Sequence, residues 1–423
     1  MNKVKVLHLI THLGVGGALD NTLLTIEGLP RDSYVVDMAA GRLLECDGYS
    51  DWEDRSRRAA DSLFHIPDLI RPIRPLNDRR ALHQLTALIK EQKYQIVHTH
   101  CSKAGLLGRL AARRAGVPIV IHTYHAFGWQ VMRSGVRQSS WRNPLAAIKK
   151  RAYVSAERYA ASLSDGLITV SDINKEQALQ HRLAPAEKFT TIYSGIAIEK
   201  FSQANDRDKT IAQLDLDNSK PIVGMIGRLT VQKAPLDFVY AAKKILLTKP
   251  DTQFIICGEG PLLEDVKQAI GGESRIKLLG FRSDIPDILA ALDLLVVSSL
   301  WEGLGRSLTE AMIMGIPVAA TAVDGIPELV THRQTGLLSE PARPNQLAEN
   351  IDWVLSHPAE ATAMATRAKS QVQRDFCASR MVDKIDELYR DHMLRKKLLT
   401  PPTNERRLAP VASCNSSDLV TTS

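Results

Sequence analysis

Short apolar runs with strand character alternate with helix-like stretches along most of this chain. Such alternation predicts βαβ units, in which the strands run parallel and the helices cover the faces of the sheet. A polar segment, 202–220, interrupts the pattern, which then begins again. At 423 residues the chain is long enough for two domains of roughly 200 residues each. The sequence therefore predicts an α/β protein with two parallel sheets of similar build.

The individual elements follow from the same pattern. In the first half the predicted strands are 4–10, 35–39, 94–100, 118–124, 166–171 and 189–193, and the predicted helices are 17–28, 79–93, 103–115, 144–163 and 172–181. In the second half the predicted strands are 222–227, 254–257, 276–279, 294–298 and 317–320. The segment 202–220 is the predicted linker between the two domains.

Composition indicates a soluble globular protein, with 44% apolar and 24% charged residues. No stretch of 18 apolar residues occurs, so no transmembrane helix is expected, and the first ten residues resemble a strand more than a signal peptide. The five cysteines have neither a Cys-x-x-Cys spacing nor any metal-binding spacing. We therefore expect reduced thiols and a cytoplasmic location.

The net charge of +7 is concentrated in one segment. Between Glu91 and Glu157 there are eleven Lys or Arg residues and no Asp or Glu, and Trp129 and Trp141 lie within the later part of the run. Basic residues with interfacial aromatics suit the anionic inner face of a plasma membrane or a pyrophosphate-linked lipid, with 133–151 as the contact. A solvated basic face is an equal alternative. No nucleic-acid motif accompanies the charge, so nucleic acid is not expected as a partner.

The stretch from Glu302 to Glu310 follows the apolar run 294–298 and precedes the apolar run 311–314. This order places a glycine-bearing loop at the carboxyl end of a strand and the amino end of a helix, where free N–H groups favour a phosphate. Two carboxylates beside an anion site need other partners, and sugar hydroxyls are suitable ones. The stretch therefore predicts a site for a phosphorylated sugar.

Further candidates follow other predicted strands. Arg228 and Lys233 come after the first strand of the second half, where a guanidinium and an ammonium can stabilise a diphosphate. Gly16 and Gly17 follow the first strand of the chain and open a helix, so the backbone can approach a phosphate closely. Asp215 and Asp217 resemble a metal-binding Asp-x-Asp, but they precede a strand, away from the expected ligand edge.

The segment after the predicted strand 118–124 supplies a histidine, His125, at the carboxyl edge of the first predicted sheet. His122 is expected to point into that sheet. An imidazole at that edge can hydrogen-bond a donor sugar or orient an acceptor. Ser102 and Lys103, after the predicted strand 94–100, are weaker candidates for contact with an acceptor or a phosphate.

On these motifs the chain resembles the retaining glycosyltransferases of the GT-B fold (group 1, family 4-like), which are marked by Glu-x7-Glu. The resemblance extends from about residue 4 to about residue 393. It implies two Rossmann-like domains facing across a cleft: 1–201 for the acceptor and 221–375 for the sugar nucleotide. A helix at 376–395 would return to the first domain, and 396–423 is expected to be a disordered tail.

The resemblance also implies roles for the candidates. The family's Arg and Lys, matched by Arg228 and Lys233, hold the donor diphosphate. Glu310 would bind ribose hydroxyls, Glu302 the hydroxyls of the donor sugar, and His125 would lie at the reaction centre. The other residues implied to contact the donor are Gly16, Gly17, Arg282, Gly303, Leu304, Gly305 and Arg306.

The expected reaction is transfer of a sugar from a nucleotide diphosphate to a glycan or lipid-linked acceptor, with retention at the anomeric carbon. The resemblance implies that the leaving phosphate accepts the proton of the acceptor. Because Asp215 and Asp217 lie away from the expected ligand edge, we also expect no metal ion and no cofactor. Synthesis of a cell-surface polysaccharide or glycolipid is the expected setting. The sequence leaves open UDP or GDP as the carrier, and the identity of the sugar and acceptor.

Two alternatives remain at this point. A sugar-nucleotide epimerase on the same fold would turn over the donor without an acceptor, and a non-catalytic protein would bind the sugar nucleotide without transfer. The combination of Glu302 and Glu310 with Arg228 and Lys233 argues against both. A nicotinamide dehydrogenase is a poorer alternative, despite Asp37 near the end of a predicted strand, because the glycine pattern is incomplete.

Overall fold

The computed structural model describes residues 3–14, 16–41, 50–129, 144–201 and 206–399. In chain order its strands are β1 (Val4–Ile10), β2 (Tyr34–Gly41), β3 (Leu63–Ile66), β4 (Ile96–His100), β5 (Ile119–Tyr124), β6 (Gly166–Thr169), β7 (Phe189–Thr191), β8 (Ile222–Ile226), β9 (Gln253–Cys257), β10 (Ile276–Gly280), β11 (Leu294–Val297), β12 (Val318–Thr321) and β13 (Leu337–Ser339). The helices are α1 (Gly17–Gly28), α2 (Ser50–Ala59), α3 (Pro75–Gln92), α4 (Ser102–Arg114), α5 (Pro144–Ser162), α6 (Asp172–Gln180), α7 (Arg207–Gln213), α8 (Pro235–Leu246), α9 (Leu263–Ile270), α10 (Ile285–Ala290), α11 (Arg306–Met314), α12 (Ile326–Leu329), α13 (Pro344–Ser356), α14 (Pro358–Asp375) and α15 (Ala378–Arg395).

The strands form two parallel sheets, as the alternation predicts. The first has seven strands in the order β3-β2-β1-β4-β5-β6-β7, and the second has six in the order β10-β9-β8-β11-β12-β13. Helices cover both faces of each sheet, because the central strands bury side chains on both faces. The predicted fold class, two Rossmann-like domains of the GT-B type, is confirmed.

The faces of the first sheet can be followed along β1. Val6 and Ile10 pack with α1 and α15, whereas Leu7 and Leu9 pack on the opposite face with α3 and α4. His8 lies on the same face as Val6 and is paired in register with His98 of β4. Burial of several imidazoles on an otherwise apolar face is the unusual feature of this domain.

The returning helix is present. α15 follows α14 of the second domain and packs on the first, where Met381, Val382, Ile385 and Tyr389 are buried against α1 and β2. Gly28 allows this contact, because a Cβ there would lie 2.7 Å from a methyl group of Val382. The predicted helix at 376–395 therefore crosses back as expected, and most of the predicted tail, 400–423, lies outside the described residues.

The predicted linker differs from the structure. Residues 207–213 form α7, whose Ile211 is buried with Leu214 in the core of the second domain. Arg207 donates to the carbonyl of Ala290 and forms an ion pair with Asp293 at 2.8 Å. Because the segment is mostly polar, its two buried apolar residues gave no signal in the sequence. Their burial shows that the part from 206 onward belongs to the second domain. Residues 202–205 lie outside the described part of the chain.

Only some of the basic residues between Glu91 and Glu157 lie on the surface. Arg109 is fully buried and bonded to Glu157 at 2.9 Å, and Arg113 pairs with Asp165 at 2.8 Å. Trp129 is not an interfacial aromatic, because it is buried and its ring stacks on Phe127 at 4.1 Å between centroids. Among the described residues of the run, the exposed cations are Lys93, Arg114, Lys149, Lys150 and Arg151, while Arg133, Arg137, Trp141 and Arg142 lie outside the described residues.

None of the helices in the described ranges combines the length and the apolar character needed to cross a bilayer.

Candidate functional site

Each sheet has one point where its strand order reverses. In the first sheet this point lies between β1 and β4, and in the second between β8 and β11. Ligands of open α/β sheets bind outside the carboxyl ends of the strands at such points. The loops after β1, β8 and β11 carry Gly16, Arg228 and Glu302, and Ser102 begins α4 directly after β4. The fold therefore brings the predicted residues to the two places where a ligand is expected.

The two points face each other across the domains. A Cβ added to Gly303 would lie 2.1 Å from the carbonyl oxygen of His125, so the second-domain loop touches the end of the first sheet. A Cβ added to Gly17 would lie 3.8 Å from the side chain of Arg306. Arg306 also forms an ion pair with Asp20 of α1. The candidate site is thus a cleft whose two walls are in contact.

Glu302 is buried at the base of this cleft. Its Oε1 accepts hydrogen bonds from Nζ of Lys233 and from the hydroxyl of Ser299, the latter at 2.7 Å. Its backbone N–H donates to the carboxylate of Asp324 at 2.8 Å. The carboxylate is therefore oriented and paired with the cation predicted to face the diphosphate, so a ligand would have to share Lys233 with it.

Lys233 is placed beside Glu302 by bonds between two loops. The hydroxyl of Ser298 donates to the carbonyl of Lys233 at 2.8 Å, and the N–H of Leu300 donates to the carbonyl of Gln232 at 2.7 Å. Arg228 lies at the start of the same loop and is exposed. Close approach of the neighbouring loop requires a glycine, since a Cβ on Gly258 (φ 140°) would lie 2.0 Å from the carbonyl oxygen of Gly227.

Glu310 lies on the second turn of α11, and its Oε1 accepts from Nε of Arg306 at 2.9 Å. Burial raises the pKa of Glu310, and the neighbouring Arg306 opposes that rise. Asp20, in the first turn of α1, pairs with both Arg306 and Arg55. An alternating row of charges therefore runs from α2 through α1 to α11, across the cleft.

Two helix amino ends meet in the same place. α11 begins at Arg306 after Gly305, which has φ 88°, and α1 begins at Gly17 after Gly16. Among the described residues, no side chain caps either end. The Gly303–Arg306 loop and the Gly16–Gly17 turn therefore present backbone at positions suited to an anion.

His125 follows β5 and is partly buried. Burial lowers its pKa to about 4, so the ring is neutral at physiological pH. Its Nε2 lies 3.2 Å from Nδ1 of His100, which connects it to a set of buried imidazoles beneath the cleft. His122 is buried on the other face of the sheet, where its Nδ1 lies 2.8 Å from the hydroxyl of Thr99.

The remaining candidates have other partners. Arg282 follows β10 and is held by Asp284, with Nε 2.8 Å from Oδ1. β10 is separated from β11 by two strands, which puts Arg282 roughly 14 Å from the Glu302 loop at ordinary strand spacing. Lys103 pairs with Asp78 at 2.6 Å, and the hydroxyl of Ser102 lies 2.7 Å from that of Tyr153.

Sequence reasoning missed several residues that complete the site. Asp20 and Asp324 were not singled out, yet both bind candidate residues directly. Glu328 was also missed; it accepts from the N–H groups of Asp172 and Ile173 at the start of α6, which joins the domains. An isolated Asp or Glu in a turn carries no local signal of what faces it across a cleft.

The two aspartates of the Asp-x-Asp are at the opposite edge of the second sheet, as expected. Asp215 pairs with Lys277 at 2.9 Å, and Asp217 accepts from Ser219 at 2.6 Å. Within the described chain, nitrogen atoms of His8, His98 and His100 form the one cluster with metal-ligand proximity, all within 4.8 Å of one another. These nitrogens are hydrogen-bonded to neighbouring side chains instead.

Comparison with known proteins places this arrangement among glycosyl-transferring enzymes. The family descriptions "Glycosyl transferase 4-like domain" and "Glycosyl transferases group 1" match residues 16–195 and 206–371, respectively. The UDP-Gal:alpha-D-GlcNAc-diphosphoundecaprenol alpha-1,3-galactosyltransferase of Escherichia coli is 33% identical over 93% of this chain and 99% of its own. The alpha-D-kanosaminyltransferase of Streptomyces kanamyceticus is 27% identical over 70% of this chain and 77% of its own.

Solved structures agree on the fold. Anabaena HepE in complex with UDP and glucose superposes with a TM-score of 0.75 at 22% identity, covering 92% of this chain and 100% of its own. Sucrose-phosphate synthase from Thermosynechococcus elongatus superposes with a TM-score of 0.76 at 22% identity, covering 92% of this chain and 100% of its own.

Proposed function

Because the chain belongs to the group 1 glycosyltransferases of the GT-B fold and uses a nucleotide-sugar donor, we propose that it transfers a hexose from a UDP-hexose to a sugar carried on a polyprenyl diphosphate. The galactosyltransferase that is 33% identical over almost the whole of both chains supports this donor and this acceptor class. Convergence of Lys233, Glu302 and Glu310 opposite His125 is the geometric observation that carries the proposal.

In the proposed complex the donor lies along the carboxyl edge of the second sheet. Glu310 binds the ribose hydroxyls, and Glu302 binds the hydroxyls of the hexose. Lys233 and Arg228 stabilise the charge that grows on the diphosphate as the sugar leaves, together with the N–H groups of the 303–306 loop. The nucleobase would lie toward Arg282, at the outer part of this edge.

Transfer is proposed to proceed with retention. Glu302 is engaged by Lys233 and Ser299, which orients it as a hydrogen-bond acceptor rather than as a nucleophile. The bond between the anomeric carbon and the diphosphate oxygen breaks as the acceptor hydroxyl adds from the same face, and the departing oxygen takes the hydroxyl proton. His125 hydrogen-bonds the reacting sugar, and the closed cleft keeps out water that would hydrolyse the donor.

We propose that no metal ion takes part, since the two basic side chains at the cleft can stabilise the diphosphate. The Asp-x-Asp pair is bound by Lys277 and Ser219 at the far edge, which supports the same conclusion. Transfer rates should then be unchanged by excess EDTA.

The acceptor is proposed to reach the cleft from an anionic membrane, in the synthesis of a cell-surface glycan. Besides the exposed Lys149–Arg151 segment, the loop between β3 and α3 supports a membrane contact. Ile73 in this loop and Leu76 in the first turn of α3 are 86% and 73% exposed, and Lys103 holds the loop through the carbonyl of Pro72. The exposed cations around these two side chains are Arg71, Arg74, Arg79 and Arg80. Apolar tips within a basic rim suit insertion into an anionic interface.

Vesicle sedimentation tests the membrane contact. The double variant Ile73→Ser/Leu76→Ser should lose binding to vesicles containing phosphatidylglycerol, while Leu247→Ser, an 84% exposed leucine of the second domain, should bind like wild type. Reversal of charge at Lys149, Lys150 and Arg151 measures how much this basic segment contributes to vesicle binding. Equal binding by all variants would refute a contact through the first domain.

The decisive experiment combines donor binding with transfer. UDP, UDP-galactose and UDP-glucose should raise the unfolding temperature more than GDP and GDP-mannose do, because only a bound ligand stabilises the fold by mass action. With an N-acetylglucosaminyl diphospholipid, one UDP-hexose should give a product whose anomeric proton signal keeps the donor configuration. Turnover of the donor without acceptor would indicate an epimerase instead, and binding without any turnover would indicate a non-catalytic protein.

A further inference from the structure

A continuous chain of hydrogen bonds lies beneath the cleft, on the face of the first sheet that α15 covers. From His125 it passes to Nδ1 of His100 at 3.2 Å, and from Nε2 of His100 to Nδ1 of His8 at 3.0 Å. Nε2 of His8 lies 3.3 Å from the hydroxyl of Tyr389 on the returning helix. That hydroxyl also lies 2.6 Å from Nδ1 of His98. We refer to His125, His100, His8, Tyr389 and His98 as the relay.

Each ring of the relay carries one proton. Burial lowers the pKa of His8 to about 3 and that of His125 to about 4, and it also lowers the pKa of His98 and His100 well below the usual value. A neutral imidazole has one N–H donor and one acceptor nitrogen. In each hydrogen bond between two rings, only one ring is the donor. Because every ring has one donor and one acceptor nitrogen, all the hydrogen bonds along the relay must run in the same direction.

Two arrangements satisfy this condition. In the first, Tyr389 donates to His98, His8 donates from Nε2 to Tyr389, His100 donates from Nε2 to His8, and His125 donates from Nε2 to His100. Nδ1 of His125 is then left as an acceptor. In the second arrangement every proton is reversed, and Nδ1 of His125 carries a hydrogen. The two differ in what His125 can offer to a substrate hydroxyl.

Tyr389 selects between them because its hydroxyl has a single hydrogen and two imidazole neighbours. The 2.6 Å separation from His98 has the length of an O–H···N bond, whereas the 3.3 Å separation from His8 is that of a long N–H···O contact. His98 can then donate a hydrogen bond from Nε2 to the hydroxyl of Thr123, 2.7 Å away. These lengths favour the first arrangement.

We propose that Tyr389 is a positioning residue that fixes His125 as the Nε2–H tautomer, through His8 and His100, so that Nδ1 accepts a hydrogen bond from a substrate hydroxyl. The inference rests on the proposed role of His125 in transfer. Because α15 reaches the first domain from the second, docking of this helix and the chemical state of the cleft histidine are linked.

The direct test is nitrogen NMR of the full chain labelled with ¹⁵N-histidine, in which long-range correlations show which nitrogen of each ring is protonated. The His125→Gln variant identifies the signals of His125. In the wild type we expect a protonated Nε2 and an unprotonated Nδ1. In Tyr389→Phe, which removes one hydroxyl, His125 should show a mixture of tautomers or the reversed one.

Tyr34→Phe is the matched control. Tyr34 also contacts α15, and its hydroxyl donates to Asp386 at 2.6 Å, but it is outside the relay. This variant loses a similar bond to the same helix and should leave the His125 signals unchanged. A second variant, His8→Phe, cuts the relay at another link and should reproduce the effect of Tyr389→Phe. Persistence of the Nε2–H form in both relay variants, or an Nδ1–H form in the wild type, overturns the inference.

Kinetics supply a separate readout. Tyr389→Phe should lower kcat for transfer by about tenfold, by analogy with the loss of activity when the hydrogen-bond partner of a metal-bound histidine is removed. The donor KM should change by less than about twofold, because the donor-binding loops are untouched. If the tautomer depends on Tyr389 but no transfer occurs with any donor, the relay stands and the proposed function fails. If transfer occurs but the tautomer of His125 is the same in Tyr389→Phe as in wild type, the relay is refuted and the proposed function stands.

Discussion

Glu302 and Glu310 have similar burial but different partners. Glu302 is bound by Lys233 and Ser299 beside the second domain's switch point, whereas Glu310 is bound by Arg306 on its own helix. The separation follows from α11: one residue precedes the helix and the other lies beyond its first turn. Each carboxylate can therefore contact a different part of an extended donor, the sugar for Glu302 and the ribose for Glu310.

Substitution of each glutamate by its amide should separate these roles. A hydrogen bond to a charged group contributes about 1.5–3 kcal/mol, or roughly 10- to 150-fold. Glu302→Gln should lower kcat by that factor without weakening UDP binding, because UDP lacks the hexose and the neutral amide competes less with the diphosphate for Lys233. Glu310→Gln should weaken UDP binding instead. Calorimetry with UDP and steady-state kinetics measure the two effects.

Glu264→Gln serves as the control for this pair, because Glu264 is exposed on α9 and pairs only with the neighbouring Lys267 among its described ion pairs. It should behave as wild type in both assays. If Glu302→Gln and Glu310→Gln weaken UDP binding equally, the proposed division between sugar and ribose is wrong.

The contact of Gly303 with His125 supports a second prediction. Gly303→Ala would place a methyl group 2.1 Å from the carbonyl oxygen of His125, and a backbone oxygen on a strand end cannot move aside easily. The second domain should still fold and bind UDP, but the walls of the cleft should separate, with transfer reduced by at least about a hundredfold. Full activity of this variant, measured by the same transfer assay, would show that the contact is not kept during catalysis.

The sequence could predict those site residues whose position depends on a single strand end. Glu302, Arg228 and Gly16 follow strands at the switch points, so the rule for parallel sheets brings them together. It could not predict that Asp20 would join Arg306, because the partner comes from the other domain. The relay was equally hidden, since its members lie on β1, on β4, after β5 and on α15, and its key residue, Tyr389, is on a helix about 290 residues away from His98.

Element lengths explain which parts of the fold were predicted. The long apolar β1 and the helix α1 have the predicted bounds. β3 and β13, with four and three residues, were missed, although β6 and β7 are equally short. The latter two were predicted because each lies in a longer apolar and β-branched run, 166–171 and 189–193. α2 was missed because its composition is almost entirely polar, and α7 because its few apolar residues are not distinguishable from a linker until the second sheet covers them.

α15 should be essential for the stability of the first domain. Its buried residues Met381, Val382, Ile385, Tyr389 and Met393 complete the core on the face of β1 and β2. Burial of a large apolar side chain contributes about 1.5–3 kcal/mol, so five of them approach the whole stability of a domain, about 5–15 kcal/mol. A chain ending at Asp375 should therefore lose the first-domain unfolding transition in calorimetry.

A chain ending at Leu399 is the matched control for this truncation. It removes 24 residues outside the described part but keeps α15, and its unfolding temperature should equal that of the full chain. A chain ending at Asp375 that unfolds like wild type would mean that the helix is a dispensable strap rather than part of the core.

For the whole molecule, the buried imidazoles predict how stability depends on pH. Among the histidines of the first domain, His8, His98, His100, His122 and His125 have lowered pKa values, in each case mainly because of burial. In the unfolded chain such groups titrate near 6.5. Below that pH the unfolded state binds protons that the folded state does not. Their contribution is therefore complete above about pH 6.5 and is lost as the pH falls toward about 4.

Each of these histidines should add about 1.4 kcal/mol per pH unit to the slope of unfolding free energy against pH in that window. Urea unfolding of the first domain, followed from about pH 7 to about pH 5, measures this slope. His8→Phe should reduce it by the equivalent of one proton, whatever its effect on stability at neutral pH, whereas His83→Gln, an exposed histidine on α3, should leave it unchanged. An unaltered slope in His8→Phe would mean that His8 is already protonated in the folded protein. The relay would then carry a charge beneath the cleft, and the tautomer of His125 could not be set by neutral rings.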